Sequence, residues 1–199
     1  MASSRPVPLW GTCLGSEMLA MLLSGNDTIL STFSAENISL PLHFTEDSVS
    51  SQLFGGMPPD VAEAFTRPVT VNEHELGLSP ESFAGSAPLR GSVRPLSHNT
   101  DRNGKAFVSA FEHKELPIFA TQFHPERPAF EWITQRYIPH SRSAVLAMQY
   151  LADRFADHVR KAAVPSNALE LIYDFSPVAS EASTAYYEQM YSFPLWHGA

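Results

Sequence analysis

Leu9-Trp10-Gly11-Thr12-Cys13-Leu14-Gly15 is the stretch from which the rest of this chain is read. Apolar Val7, Leu9 and Trp10 read as the end of a buried strand. Directly after it, Leu14, Met18, Met21 and Leu22 recur at helical spacing, and Ser24-Gly25 supplies a stop. Cys13 therefore falls where strand turns into helix, with Gly11 and Gly15 two positions to either side. A turn that tight admits only glycine beside the reactive residue, as in a nucleophile elbow with cysteine in the place of serine. It presents the sulfur to a helix N-terminus, where the dipole and free N–H groups favour the thiolate. The backbone N–H of Leu14 would point where an oxyanion develops during acyl transfer.

A thiolate needs a proton shuttle. His124-Pro125-Glu126 follows the apolar run 118–123, so His124 belongs at the C-terminal end of a strand, the edge where open α/β sheets gather their active sites. Proline forces a turn or extended geometry that lets Glu126 fold back onto the imidazole. In this reading Cys13 is the nucleophile, His124 the general base and then acid, and Glu126 the group that orients it. Each fragment has a plainer reading: a lone cysteine is usually a small buried hydrophobe, and a strand-end histidine can be a surface residue. The two together, one at a strand–helix turn and one at a strand end, favour chemistry.

Working outward, strands are expected over 29–33 and 38–44, a helix over 59–66, and a short strand over 69–71 with His74 on a following loop. A short helix is expected over 80–84. Runs 106–111 and 118–123, separated by His113-Lys114-Glu115 with flanking polar and proline residues, read as a hairpin. The clearest helix covers 143–161, with Val145, Met148, Ala152, Phe155, Ala156 and Val159 on one face. Beyond Pro165 the aromatic, polar stretch reads as a tail on a single domain spanning 1–199. These elements predict an α/β fold.

With 199 residues, 44% apolar and 17% charged, the composition is globular. The formal net charge is −8 and the basic residues form no cluster larger than Arg160-Lys161, which argues against a nucleic-acid partner. Any polyanionic substrate must then be held by local cations or hydrogen-bond donors, because the overall charge repels it. No run of apolar residues is long enough for membrane insertion. One cysteine excludes an intramolecular disulfide and a cysteine-rich zinc site, and no metal is expected.

The segment Pro8 to Gly15 followed by Glu17 resembles the nucleophile segment of the γ-glutamyl hydrolases, folate polyglutamate hydrolases of the class I glutamine-amidotransferase-like superfamily. Further matches are Leu40-Pro41-Leu42 with Phe44-Thr45, Val71-Asn72 with His74, Asn99-Thr100-Asp101, Gln122 to Glu126, Glu131-Trp132, Ile172 to Pro177 and the tyrosine-rich tail. The resemblance implies a three-layer α/β/α fold with a mostly parallel central sheet, lacking its N-terminal strands and a Pro-Gly-Gly turn that supplies a second oxyanion donor. It implies cleavage of γ-glutamyl bonds in folate or antifolate poly-γ-glutamates through a thioester on Cys13, with no cofactor and with a homodimeric assembly. His74, Glu17, Leu14 and Gly15 match positions at the substrate site. Without the resemblance, His74 reads equally well as a solvated loop histidine and Glu17 as an exposed first-turn carboxylate. A glutaminase delivering ammonia to a synthase partner would share Cys13, His124 and Glu126, and an inactive copy is the third reading. The family is secreted, lysosomal or vacuolar. Asn26-Asp27-Thr28 and Asn37-Ile38-Ser39 have the form of glycosylation acceptors, while no signal peptide precedes Trp10.

Overall fold

A computed structural model of the chain describes residues 6–162, 177–179 and 189–191. Strand β1 (Leu9–Thr12) runs straight into helix α1 (Leu14–Ser24), which Gly25 closes in the left-handed conformation at φ 66°. The hairpin of β6 (Ala106–His113) and β7 (Ile118–Thr121) follows the expected pairing, and β5 (Val93–Thr100) lies on its other side. With the short β3 (His43–Phe44) the five-stranded sheet has the order β1-β7-β6-β5-β3.

The fold class is the expected α/β, but the sheet is mixed, not mostly parallel. Only β1 and β7 pair parallel; the other pairs are antiparallel. The cause is connection length: β5, β6 and β7 are joined by tight turns at 101–105 and 114–117, and so short a link can only reverse the chain. β5 itself escapes a sequence reading because Pro95 interrupts it. The register shift between Pro95 and Ser97 absorbs the missing N–H, which is where proline is tolerated in a sheet.

Successive residues of β7 face opposite layers. Phe119 joins a core with Phe65 of α2 (Pro59–Phe65) and with Ala144, Ala147, Met148 and Leu151 of α6 (Arg142–Lys161). Ala120 joins a second core with Leu19 and Ala20 of α1 and Leu89 of α4 (Ala87–Ser92). Helices thus cover both faces of the sheet, and α3 (Pro80–Gly85) completes the α1 side through Phe83. Phe119 has no exposed surface, and its truncation to alanine would cost about 3–5 kcal/mol.

Two helical faces differ from expectation. On α1 the interior takes Ser16, Glu17, Leu19, Ala20 and Ser24, leaving Leu14, Met18 and Leu22 exposed. On α6 the buried stripe is Ala144, Ala147, Met148 and Leu151, with Ala152 and Val159 outside. In both, small residues let the helix approach the sheet, so the most hydrophobic arc is not the buried one.

The expected break between strands 29–33 and 38–44 is absent. β2 (Ser31–Leu40) runs through it, bulged between Thr32, Ala35 and Ile38, with Asn37 at φ 47°. Its antiparallel partner β4 (Thr70–Gly77) extends well past the expected 69–71 and carries His74, which is therefore a strand residue and not a loop residue. The contacts divide the chain into Met1–Ala162 and Ala163–Ala199. In the second unit β8 (Pro177–Ala179) pairs antiparallel with β9 (Gln189–Tyr191); the rest of the expected tail motif lies outside the described residues. No described helix is long and apolar enough to cross a membrane.

Candidate active site

Cys13 occupies the junction of β1 and α1 at φ 51°, ψ −107°. A side chain in that region costs on the order of 1–3 kcal/mol, so the surrounding backbone has to impose it. Two hydrogen bonds do so. Cys13 N–H donates to the Thr121 carbonyl at 2.9 Å, and Glu17 N–H donates to the Cys13 carbonyl at 3.0 Å. The flanking glycines are not equivalent. A Cβ on Gly11 would lie 2.5 Å from the Gly15 carbonyl oxygen, whereas a Cβ on Gly15 would meet nothing within 4 Å. Gly11 is required for strand and helix to touch; the expectation that the turn needs glycine at Gly15 as well is corrected.

His124 stands three residues past the end of β7, fastened by its N–H to the Val71 carbonyl of β4 at 2.8 Å. Its Nδ1 lies 2.6 Å from Glu126 Oε1, and the Cys13 side chain is near enough to the ring to act on its pKa. With Nδ1 engaged by the carboxylate, Nε2 is the nitrogen left for sulfur. Burial pulls this imidazole down, but the bonds to Cys13 and Glu126 and the Glu126 charge prevail, raising its pKa to about 9. On Glu126 burial acts upward, yet the hydrogen bond and charge of His124 hold the carboxyl below its ordinary range. A sulfur, an imidazolium and a carboxylate brought together can form a unit able to attack a carbonyl and to protonate a departing amine.

Residues 1–129 match the family described as Glutamine amidotransferase class-I. The chain belongs to that family. Within known proteins it is similar to Gamma-glutamyl hydrolase B of Dictyostelium discoideum, 34% identical over 94% of this chain and 55% of that protein. It is similar to Gamma-glutamyl hydrolase of Rattus norvegicus, 37% identical over 94% of this chain and 60% of that protein. The Homo sapiens Gamma-glutamyl hydrolase is 33% identical over 94% of this chain and 59% of its own length. The chain thus spans between half and two thirds of these curated relatives.

Around Cys13, His124 and Glu126 the structure arranges a buried polar frame. Glu17, which the resemblance puts at the substrate site and which without it reads as an exposed first-turn carboxylate, is buried in α1 and accepts a 2.9 Å hydrogen bond from Gln122 Nε2. Burial raises its pKa and the Gln122 bond partly offsets this. Gln122 N–H donates to the Ser109 carbonyl at 2.8 Å, and Ser109 Oγ donates to Asn99 Oδ1 at 2.6 Å. This chain ties the first turn of α1 to the segment that carries His124. Leu14 is exposed, and its backbone N–H with that of Gly15 opens α1, where helical N–H groups have no partner within the helix.

His74 is only 4% exposed, with its ring centroid 4.8 Å from that of Phe107 in an edge-on contact. Its Nδ1 lies 2.8 Å from the Leu76 carbonyl, which makes that nitrogen the N–H donor. Nε2 is buried without a hydrogen-bond partner among the described residues. Burial drives the pKa down and, with the nearby His124 charge, outweighs the Leu76 bond and Asp101, leaving it at about 4.

Glu73 is the residue that sequence reasoning missed. Its backbone carbonyl lies 3.8 Å from Cys13 Sγ, while its carboxylate meets Arg136 at 2.6 Å and Arg127 at 3.7 Å. The alternation of β4 could have placed it beside His74 had that strand been read to its full length. Asn37 of the second glycosylation motif accepts a 2.7 Å bond at Oδ1 from the Tyr137 N–H. Among the described residues no group of three or more His, Cys, Asp or Glu could hold a metal ion.

Proposed function

We propose that the chain is the catalytic part of a thiol hydrolase that cleaves γ-glutamyl bonds of folate or related poly-γ-glutamates. The observation that carries this reading is His124 held between Cys13 and Glu126. The thiolate of Cys13 attacks the γ-carbonyl, and the carbon–nitrogen bond breaks as His124 gives its proton to the leaving amine. Water then adds to the thioester, His124 takes its proton, and the free γ-carboxylate leaves with the thiol restored. N–H groups at the start of α1 are the donors this part of the chain offers to the oxyanion. The names of the relatives support the bond class, and their greater length makes the activity of the whole protein part of the proposal.

Purified protein is incubated with a tri-γ-glutamyl folate, and released glutamate is measured alongside intact-protein mass. Turnover, with a γ-glutamyl adduct on wild type that is absent from Cys13→Ala, is the expected result. Cys13→Ala should lose at least about a thousandfold in rate. Turnover unaffected by that substitution removes the sulfur from the mechanism. Free glutamine hydrolysed in preference to the γ-linked substrate would transfer the site to the glutaminase reading.

A further inference from the structure

An opening lies along the later residues of β2. Asn37, Ser39, Arg102, Arg136 and Tyr137 are among the residues that wall a cleft of about 540 Å³. The walls are cross-braced. Tyr137 N–H donates to Asn37 Oδ1 at 2.7 Å, Ser39 Oγ donates to the Tyr137 carbonyl at 2.7 Å, and Arg102 Nη2 donates to the Asn37 carbonyl at 3.0 Å. Asn37 reaches this position through the β2 bulge.

The cleft is joined to the sulfur by a single residue. The Glu73 carbonyl is 3.8 Å from Cys13 Sγ, and the carboxylate of the same residue is 2.6 Å from Arg136 Nη1. Local charge is inverted relative to the chain, whose net charge is −8. Arg127 and Arg136 pair with the carboxylates of Glu73 and Glu131, whereas the Arg102 guanidinium donates to the Ser34 and Asn37 carbonyls and has no ion-pair partner among the described residues. Guanidinium groups with spare donors favour planar anions, carboxylates above all.

We propose that this cleft binds, through Arg102 and Arg136, the α-carboxylate of the glutamyl residue beyond the scissile bond. The assignment rests on the hydrolase reading, because a γ-linked tail carries a free α-carboxylate on every residue. It also shows how an acidic protein holds a polyanion: cations confined to one cleft act at contact distance, where the net charge no longer decides the outcome.

Calorimetry with the Cys13→Ala chain separates binding from turnover. Tri-γ-glutamate is compared with the same compound amidated at its α-carboxylates. The free acid should bind about tenfold more tightly, and Arg102→Gln or Arg136→Gln should each abolish most of that difference. The unsubstituted chain should also turn over γ-glutamyl-p-nitroanilide, which has no carboxylate beyond the scissile bond. Equal binding of acid and amide, a comparison that needs no arginine variant, overturns the cleft assignment, as does a difference that persists in both variants. Failure of the unsubstituted chain to cleave the anilide overturns the hydrolase reading instead, and the calorimetry still decides the cleft.

Discussion

Two histidines near the sulfur occupy opposite electrostatic environments. His124, on the turn after β7, has a carboxylate on one ring nitrogen and Cys13 on the ring as well, and its pKa rises to about 9. His74, in the middle of β4, has a peptide carbonyl on one nitrogen, no partner on the other among the described residues and aromatic edges around it, and its pKa falls to about 4. Both lose hydration, so burial alone separates nothing. A charged partner within hydrogen-bonding distance decides the direction. The lesson is a division of environments: the turn holds a protonated ring, and the strand holds a neutral one with a buried nitrogen.

Removing the mobile proton should have the largest effect. His124→Ala is expected to lower the hydrolytic rate by about a thousandfold or more, while His74→Gln retains measurable turnover; steady-state rates on one γ-glutamyl substrate compare them. Equal losses would dissolve the distinction. A smaller effect sharpens it. Glu126→Gln keeps the shape but removes the charge, so the His124 pKa should drop from about 9 toward the ordinary histidine range. The rate should fall about ten- to a hundredfold, and the alkaline limb of the rate profile should move to lower pH with it. Imidazole NMR resonances report the first quantity directly, and a titration unchanged in the variant would remove Glu126 from the pair.

The third effect concerns stability. The raised His124 pKa contributes stability that is complete below the unfolded value of about 6.5 and is lost as pH climbs through about 9. His74 has the opposite sign. Its depressed pKa contributes stability above about 6.5 that is lost as pH falls toward about 4. Each limb is on the order of 1–3 kcal/mol. Thermal melts should show the acid limb flattened in His74→Gln and the alkaline limb flattened in His124→Ala. Unchanged limbs in both variants would assign the pH dependence to other groups.

The same contrast separates what was legible in the chain from what was not. The Cys13 turn could be read because its signals are local: an apolar strand end, a glycine that strand–helix contact demands, and a helix with a glycine stop. The β6–β7 hairpin and His124-Pro125-Glu126 could be read for the same reason. The ribbon of β2 and β4 could not. A bulge disguised β2 as two strands, Pro95 disguised β5, and His74 looked like a loop residue because its strand alternates polar residues whose partners lie far along the chain.

The sequence alone therefore determined the α/β class and the positions of Cys13 at a strand–helix turn and of His124 just past a strand end. These follow from residue order over a few positions, where backbone sterics leave little choice. Only the tertiary structure decided that Glu17 is buried against Gln122, that His74 is neutral, and that Glu73 links Cys13 to an arginine-lined cleft. Those facts depend on desolvation and on charges contributed by distant segments, and neither quantity exists until the chain has folded.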